Sequence, residues 1–543
     1  MGPLIETGKN VPGEDGPPQE HSEAGPAMIG PETVTFSAVV TSMFFVVGLV
    51  VMLNHEMWAD EVHAWLVAVK SQSLGELLQN CKTYGHPPLW NVCVYILTRI
   101  SESSRVMQLF QLLTATTATY VFVRYSSFSR LNKILFVFGY FPFFEYAIIS
   151  RAYAIGLLSV FSFCALYPLR GRTYVPLAAA LALMANTSVF GIMLAITFSA
   201  LLIVDGLSGR SRMSPNGSQK LDTAIAVGLV VAATALATAY MIPPPGAGFP
   251  APWKTDFDAL KLGKVLSTVW NSHFPVPNPA TVHFWGSNAF DYFYPDYLYW
   301  VGPVHVMLSV SVLILAFLYF ARTPMILFCY VMGTCGMLVF LYAKYFGYIR
   351  HHGHLFILLM ACLWLCENYE RVELPIRGLS SIGKWLESHR RTLLSILLSA
   401  HLVAAAYTVG MEMVYPFSGA KAVEQFVRRN GLEDAVQACH PDWLCVSFAH
   451  ALGKELFYPN ADRVGSYLIY DSKRKHGVGC GKMLERLHGF MEGREENIVL
   501  ISAGKLDCAR KGLDVSLVAT VRTNSIVPGD RVYFLYRLRL CRE

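Results

Sequence analysis

Stretches of about twenty residues with scarcely a charge recur along this chain, and no other feature limits its fold so sharply. Residues 34–53, 221–243 (interrupted only by Asp222) and 298–320 are three of them. A hydrocarbon layer about 30 Å thick takes a helix of this length. A buried helix of a soluble protein rarely stays apolar all round for so long. Only 15% of the 543 residues are charged and 54% are hydrophobic, where a soluble domain carries about a quarter charged residues. The net charge of +6 is modest. Much of it serves to orient loops, so it is no sign of a nucleic-acid partner.

Further apolar runs follow at 87–103, 106–123, 134–149, 151–169, 174–188, 189–206, 324–343, 351–367 and 393–413. The expected fold is an all-α polytopic membrane domain at 33–413 with about 11–13 transmembrane helices. An acidic, Pro/Gly-rich leader at 1–32 lacks a basic n-region and reads as a disordered tail. Residues 414–543 form a small α/β domain, with strands expected at 468–470, 497–501, 515–521 and 532–538. Basic loops set the sides: Arg210, Arg212 and Lys220, and then Arg371, Arg377, Lys384, Arg390 and Arg391, mark cytoplasmic loops. The segments 54–86, 243–297 and 345–354 and the C-terminal domain then face outward. An odd number of crossings must separate 54–86 from 207–220, yet six runs lie between them. Either one pair is a single long helix or one run crosses only half the membrane. In the outward domain Cys439, Cys445, Cys480, Cys508 and Cys541 allow one or two disulfides and leave one thiol over. Their spacing does not suit a structural zinc site.

The first outward loop carries the densest chemistry. It opens Trp58-Ala59-Asp60-Glu61-Val62-His63-Ala64-Trp65 and closes on Gly85-His86-Pro87-Pro88-Leu89-Trp90. Between them Leu66, Val69, Leu74, Leu77 and Leu78 suit a segment lying in the interface. A carboxylate at the mouth of a membrane helix can serve as a general base toward a hydroxyl. An interfacial belt of Trp58, Trp65 and Trp90, with Asp60 and Glu61 as a solvated cap, is the alternative.

This W-x-D-E-x-x-x-W opening followed by G-H-P-P-L-W resembles the GT-C membrane glycosyltransferases of the protein O-mannosyltransferase and aminoarabinose transferase type. The motifs cover the first half of the chain and the architecture covers all of it. The resemblance implies transfer of a sugar from a polyprenyl-phosphate donor to a lipid, glycan or protein acceptor at the outer face. It implies Asp60 as the catalytic base, with Glu61 positioning the acceptor or a divalent metal ion where one is used. It also implies a cell membrane, with the bacterial inner membrane favoured, and membrane lipids as surroundings.

Two more clusters fit that expectation. In 143–153 the charged residues Glu145 and Arg151 sit between apolar runs, where ions are paired or functional. Either they pair with each other, or Arg151 and Tyr153 line the substrate cavity, with His63 and His86 beside the acidic pair. In 345–354 Arg350, His351, His352 and His354 begin a helix. Arg350 with His351 or His352 suits a leaving phosphate, because guanidinium binds such oxyanions bidentately. A metal site and a basic loop on lipid headgroups are the rivals. The aromatic-rich 243–297, with Trp253, His273, His283, Trp285 and the run 291–297, has the place of a lid. No phosphate-binding loop or dinucleotide fingerprint occurs in the chain. A secondary transporter or lipid flippase is the main functional alternative, and a non-catalytic assembly or sensor protein is the second.

Overall fold

The computed structural model describes residues 31–208, 217–245, 247, 252–290, 301–475, 477–494 and 497–541. The expected tail at 1–32 and the aromatic run 291–297 therefore lie outside the described residues, apart from 31 and 32. Among those described, nine helices are long and apolar enough to cross a membrane.

Helix α1 (Val34–Asn54) starts where Thr33 Oγ1 accepts from the Phe36 amide at 3.3 Å, satisfying one of the free amides of the first turn. The short helices α2 (Ala59–Lys70), α3 (Leu74–Cys81) and α4 (Leu89–Thr98) follow. Then α5 (Arg105–Tyr125) runs back antiparallel to α1. Arg105 at its start donates to the carbonyls of Met52 and Leu53, each at 3.2 Å, and Arg124 near its end reaches Glu32. All of 55–104 thus lies at one end of the bundle, and the apolar run 87–103 does not cross it. That settles the parity. The run became a ten-residue helix because Pro88 starts it and Glu102 and the serines around it follow Arg99.

The next segments do traverse. Helix α6 (Arg130–Val137) begins at Glu32, with an Arg130–Glu32 pair at 2.9 Å. It continues as a π-helix (Tyr140–Ile148) that ends beside α2, where the Ser150 amide donates to Glu61 Oε1 at 2.6 Å. Helix α7 (Tyr153–Leu166) returns. The pair α8 (Val175–Ala185) and α9 (Val189–Leu207) makes a hairpin whose two ends meet again near Arg170, which donates to Asp205 at 2.8 Å. The break 185–188 is a true turn: Ser188 Oγ caps α9 by accepting from the Gly191 amide at 3.0 Å. Residues 174–206 are therefore two helices, and five crossings separate 55–104 from the loop after α9.

Helix α10 (Gly217–Met241) brings the chain back to the first end. There α11 (Ala259–His273) dips into the bundle and stops half-way, its last carbonyl accepting from His401 Nε2 at 2.9 Å. The chain then returns to the end it came from, since His283 bonds the Ser525 carbonyl of the C-terminal domain. The last membrane-length helices are α12 (Val301–Phe320), α13 (Pro324–Ala343), α14 (Ile349–Leu365) and α16 (Arg390–Val414), with α15 (Arg377–Ser388) lying across the far end. Every residue of α14 is buried, so it is the central post. Lipid gives apolar side chains no reason to prefer a neighbouring helix, so fit decides the contact. Gly353 shows how tight that fit is: a Cβ there would stand 2.5 Å from Phe141 and the Tyr146 hydroxyl of the π-helix.

The C-terminal domain holds α17 (Ala420–Arg429), α18 (Asp442–Leu452), α19 (Cys480–Met491) and a six-stranded sheet in the order β3-β2-β1-β4-β6-β5. The strands are β1 (Val436–His440), β2 (Leu456–Tyr458), β3 (Arg463–Gly465), β4 (Ile498–Ser502), β5 (Leu513–Arg522) and β6 (Val532–Leu540). β1 is parallel to β2 and β4, and the other pairs are antiparallel. Along β4, Val499 and Ile501 face α17 and α18 while Ile498 and Leu500 face α19, the period of two that a pleated strand imposes. Residues 468–470 are not a strand, because the Leu468 carbonyl is taken by His63 instead of a ladder partner. Disulfides join Cys439 to Cys445 and Cys480 to Cys508, and Cys541 stays free.

This domain sits on α2. Val62 and Leu66 share a core with Val423, Leu444 and Phe448, while Trp65 and Leu77 pack with Trp90 and Val94. Of the amphipathic segment expected in the interface, Leu66 and Leu77 are buried against protein, while Val69 and Leu74 stay exposed. Trp65 and Trp90 are core residues and form no belt.

Candidate functional site

The first turn of α2 sends its two carboxylates to different sides, because neighbours on a helix stand about 100° apart. Glu61 turns inward and is wholly buried. Its Oε1 accepts from the Ser150 amide at 2.6 Å, and its Oε2 accepts from the Trp58 amide at 3.1 Å and from His55 Nε2 at 3.0 Å. His55 bonds Glu412 of α16 through its other nitrogen. Burial pushes the His55 imidazole toward neutrality, but the two carboxylates outweigh it and raise its pKa to about 10. Glu61 is thus a staple between α1, α2, the end of the π-helix and α16. This corrects its expected place beside the acceptor or a metal, since neither of its oxygens is available.

Asp60 turns outward. Its Oδ2 accepts from Arg151 Nη1 and, at 3.4 Å, from Arg350 Nη2. Two-fifths of its side-chain surface is accessible, against 15% for Arg151 and 8% for Arg350. Burial within the molecule raises the Asp60 pKa, but the two guanidinium charges more than offset that and hold it below the ordinary carboxylate range. Arg151 therefore pairs with Asp60, and Glu145 is not its partner. Instead Glu145 Oε1 accepts from the Tyr140 hydroxyl at 2.8 Å and from Trp285 Nε1 at 2.9 Å, while its Oε2 is buried with no partner.

Arg350 is held by aromatic rings. Its guanidinium lies 5.4 Å from the Trp58 ring, 5.2 Å from Trp285 and 4.6 Å from Tyr348, within the range of cation–π attraction. The Tyr146 hydroxyl donates to its backbone carbonyl at 2.9 Å. At the C-terminal end of the π-helix the carbonyls of Tyr146 and Ile149 both accept from Gln111 Nε2, at 2.7 and 3.2 Å. Such widened turns are frequent where side chains must be aimed.

The histidines divide in role. His351 Nδ1 accepts from the Tyr348 amide at 2.9 Å, and His352 Nε2 donates to the Phe346 carbonyl at 2.8 Å. Both fold the 345–348 turn onto the start of α14. Gly347 at φ +74° leaves them room, for a Cβ there would stand 2.8 Å from His351 Nδ1. Their bonded nitrogens point at backbone, so the expected phosphate contact falls to Arg350 and not to them. His63 donates through Nε2 to the Leu468 carbonyl at 3.1 Å and packs against Tyr84 and Tyr470. Burial lowers its pKa beyond what that bond and the Asp60 charge restore, which leaves it neutral. His86 is exposed on the rim, in the field of Arg151, Asp60, Arg350 and His63. Tyr153 is buried one layer back, its ring 5.2 Å from Tyr146 and 5.6 Å from His354.

The site thus gathers Asp60, His63, His86, Arg151 and Arg350 from α2, the loop before α4, the end of the π-helix and α14. Sequence reading missed His55, Glu412 and Tyr470. It had Trp285 as part of a lid, yet the side chain reaches the floor of the site through Glu145. Only His55 carried a signal, one helical turn before Trp58. A divalent cation does not fit here: Asp60 already faces two guanidinium groups, and Glu61 has no oxygen to offer. Among the described residues the one group with metal-ligand proximity is Cys480, Asp507 and Cys508, whose sulfurs are joined in a disulfide. No family model, curated protein or solved structure matches this chain.

Proposed function

We propose that this chain is a polytopic membrane glycosyltransferase that takes a sugar from a polyprenyl-phosphate donor to an acceptor hydroxyl at the face bearing the C-terminal domain. The observation that carries the proposal is the accessible Asp60 carboxylate flanked by the buried Arg350 guanidinium and the largely covered Arg151 guanidinium at the mouth of an apolar bundle. General-base chemistry on a hydroxyl needs the first, and a phosphate leaving group needs the second.

In the reaction the acceptor oxygen forms a bond to the anomeric carbon and its proton passes to Asp60. The bond from that carbon to the phosphate oxygen breaks, and the electron pair leaves with the phosphate toward Arg350 and Arg151. Trp58, Trp285 and Tyr348 keep Arg350 in place and offer rings to a sugar. Glu61 holds α2 so that Asp60 faces the opening, with Tyr470 and His63 forming the roof.

A lipid or solute transporter is the second reading, favoured by one feature. Helix α11 ends half-way through the bundle at His273, in contact with His401, and interrupted helices with polar ends mark transport sites. The two readings part on one comparison: release of free polyprenyl phosphate from its sugar conjugate by wild type and by Asp60→Asn at equal protein level. A transferase releases it and the variant does not. Absence of release from both, with sugar lipid crossing the bilayer, would put the transporter first.

A further inference from the structure

The two arginines that would receive a phosphate already hold an anion, and that anion is Asp60. We propose that the donor's phosphate and the Asp60 carboxylate compete for Arg151 and Arg350, so that the base is released only when the donor is bound. The consequence for catalysis rests on the transferase reading, while the competition itself does not.

Four observations carry it. A single oxygen, Asp60 Oδ2, takes both guanidinium groups, so the carboxylate occupies the point where their donors converge. Arg350 has capacity to spare, since its Nε is buried with no partner and its contact to Asp60 is long at 3.4 Å. The donor's phosphodiester presents two non-bridging oxygens, as a carboxylate does, so it can engage the same guanidinium forks.

Mobility is unequal as well. Arg350 is walled by Trp58, Trp285 and Tyr348, and its side chain is 8% accessible. Asp60 is 40% accessible and stands in the first turn of α2. The carboxylate is therefore the partner that yields. Finally, the groups facing Asp60 are Arg151, Arg350, His63, His86 and Tyr470. The two guanidinium groups are the cations among them, since His63 is neutral. While they hold Asp60 it is a weak base, and an incoming phosphate anion that takes the two guanidinium groups in its place restores its basicity. A bound acceptor without donor would meet a base already engaged, which imposes donor-first order.

The test uses the full chain in lipid nanodiscs with geranyl phosphate as the probe and geraniol as its uncharged control. Trp58 and Trp285 border the site, so tryptophan fluorescence follows binding. If the carboxylate occupies the clamp in the free protein, apparent affinity is reduced by the fraction of molecules in which the clamp is open. Asp60→Asn and Asp60→Ser should then bind geranyl phosphate about 5- to 50-fold more tightly than wild type, with geraniol unchanged. Two variants guard against a folding defect in either one, and their thermal midpoints should match wild type. Equal or weaker binding of geranyl phosphate, or an equal gain for geraniol, overturns the competition. Donor turnover is read separately. Tight binding with turnover lost supports both ideas. Tight binding with turnover kept leaves the competition standing and removes Asp60 as the base. Unchanged binding with turnover lost does the reverse.

Discussion

His55, the residue that ends the first membrane-length helix, donates through Nε2 to Glu61 at 3.0 Å, and both side chains are fully buried. With Glu412 on the other nitrogen, one imidazolium separates two carboxylates from α2 and α16. This contact fixes α2 and so aims Asp60.

Removing the imidazole leaves two like charges buried without their counter-ion, a loss of roughly 3–5 kcal/mol for a broken buried pair. His55→Ala is expected to lower the apparent melting temperature in detergent by several degrees and to abolish turnover, although His55 touches no substrate. The pH dependence has a definite sign. The folded state raises the His55 pKa from 6.5 to about 10. Its contribution is therefore full below pH 6.5 and is lost as pH rises through about 10. Melting curves between pH 6 and 10.5 should show wild type losing stability at the alkaline end while His55→Ala stays flat.

Asp530 gives the opposite case. It ties the loop before β6 to the start of α17 by accepting from the Gly419 amide at 2.8 Å and the Ser418 hydroxyl at 3.0 Å. Burial raises its pKa to about 6, with Glu56 adding to the rise and those two hydrogen bonds opposing it. A carboxyl that holds its proton more tightly when folded favours the native state at low pH. Stability therefore falls as pH rises from about 4 to about 6. Asp530→Asn keeps an acceptor for both donors and buries no charge. It should raise stability above pH 6 by roughly 1–3 kcal/mol and change nothing below pH 4, measured by thermal unfolding of the full chain.

Trp285 is held by a single polar contact, its Nε1–H to Glu145 at 2.9 Å. Trp285→Phe keeps a ring against Arg350 and deprives a buried carboxyl of one donor, a loss of about 1–3 kcal/mol. Transfer rates should fall roughly tenfold or more with little change in the amount of folded protein. An undiminished rate would show that Arg350 needs only the ring.

At the far end of the bundle α15 exposes Ile376, Leu379, Ile382 and Trp385, and Arg377 and Lys384 lie on the same short segment. An apolar stripe beside basic residues suits the boundary between headgroups and acyl chains. In a variant with Trp385 as its one remaining tryptophan, lipids brominated near the headgroup should quench fluorescence strongly. Failure to quench would place α15 away from the bilayer.

The disulfide between Cys480 and Cys508 ties the start of α19 to the loop before β5, across 28 residues. Closing a loop of that size stabilises a domain by about 3–4 kcal/mol in the chain-entropy account. Cys480→Ser with Cys508→Ser should make the C-terminal domain far more sensitive to protease while the membrane helices persist.

Much of this molecule is readable without its structure, because some physical requirements are local. Twenty uncharged residues must form a helix to satisfy their backbone in lipid, so 34–53, 298–320 and 324–343 emerge almost as expected. Three of the four expected strands form, at 497–501 as a continuous apolar run buried on both faces and at 515–521 and 532–538 as longer apolar-rich strands. Arg151 stands out as a charge placed where charge is costly, and Asp60 and Arg350 as ionisable groups at helix mouths.

What the sequence left open depends on contacts between distant residues. Nothing local to 87–103 tells a crossing helix from one capped by protein, and only Arg105 meeting Leu53 decides it. Asp60 and Glu61 are neighbours with the same chemistry, and only packing sends one to the opening and the other to His55. Along the chain Glu145 is the carboxylate near Arg151, and only the packed bundle brings Asp60 from 91 residues away to pair with it. Composition and periodicity act over one helical turn, whereas choosing a charge's partner is a matter of which helices meet, and that is settled only when the whole bundle closes.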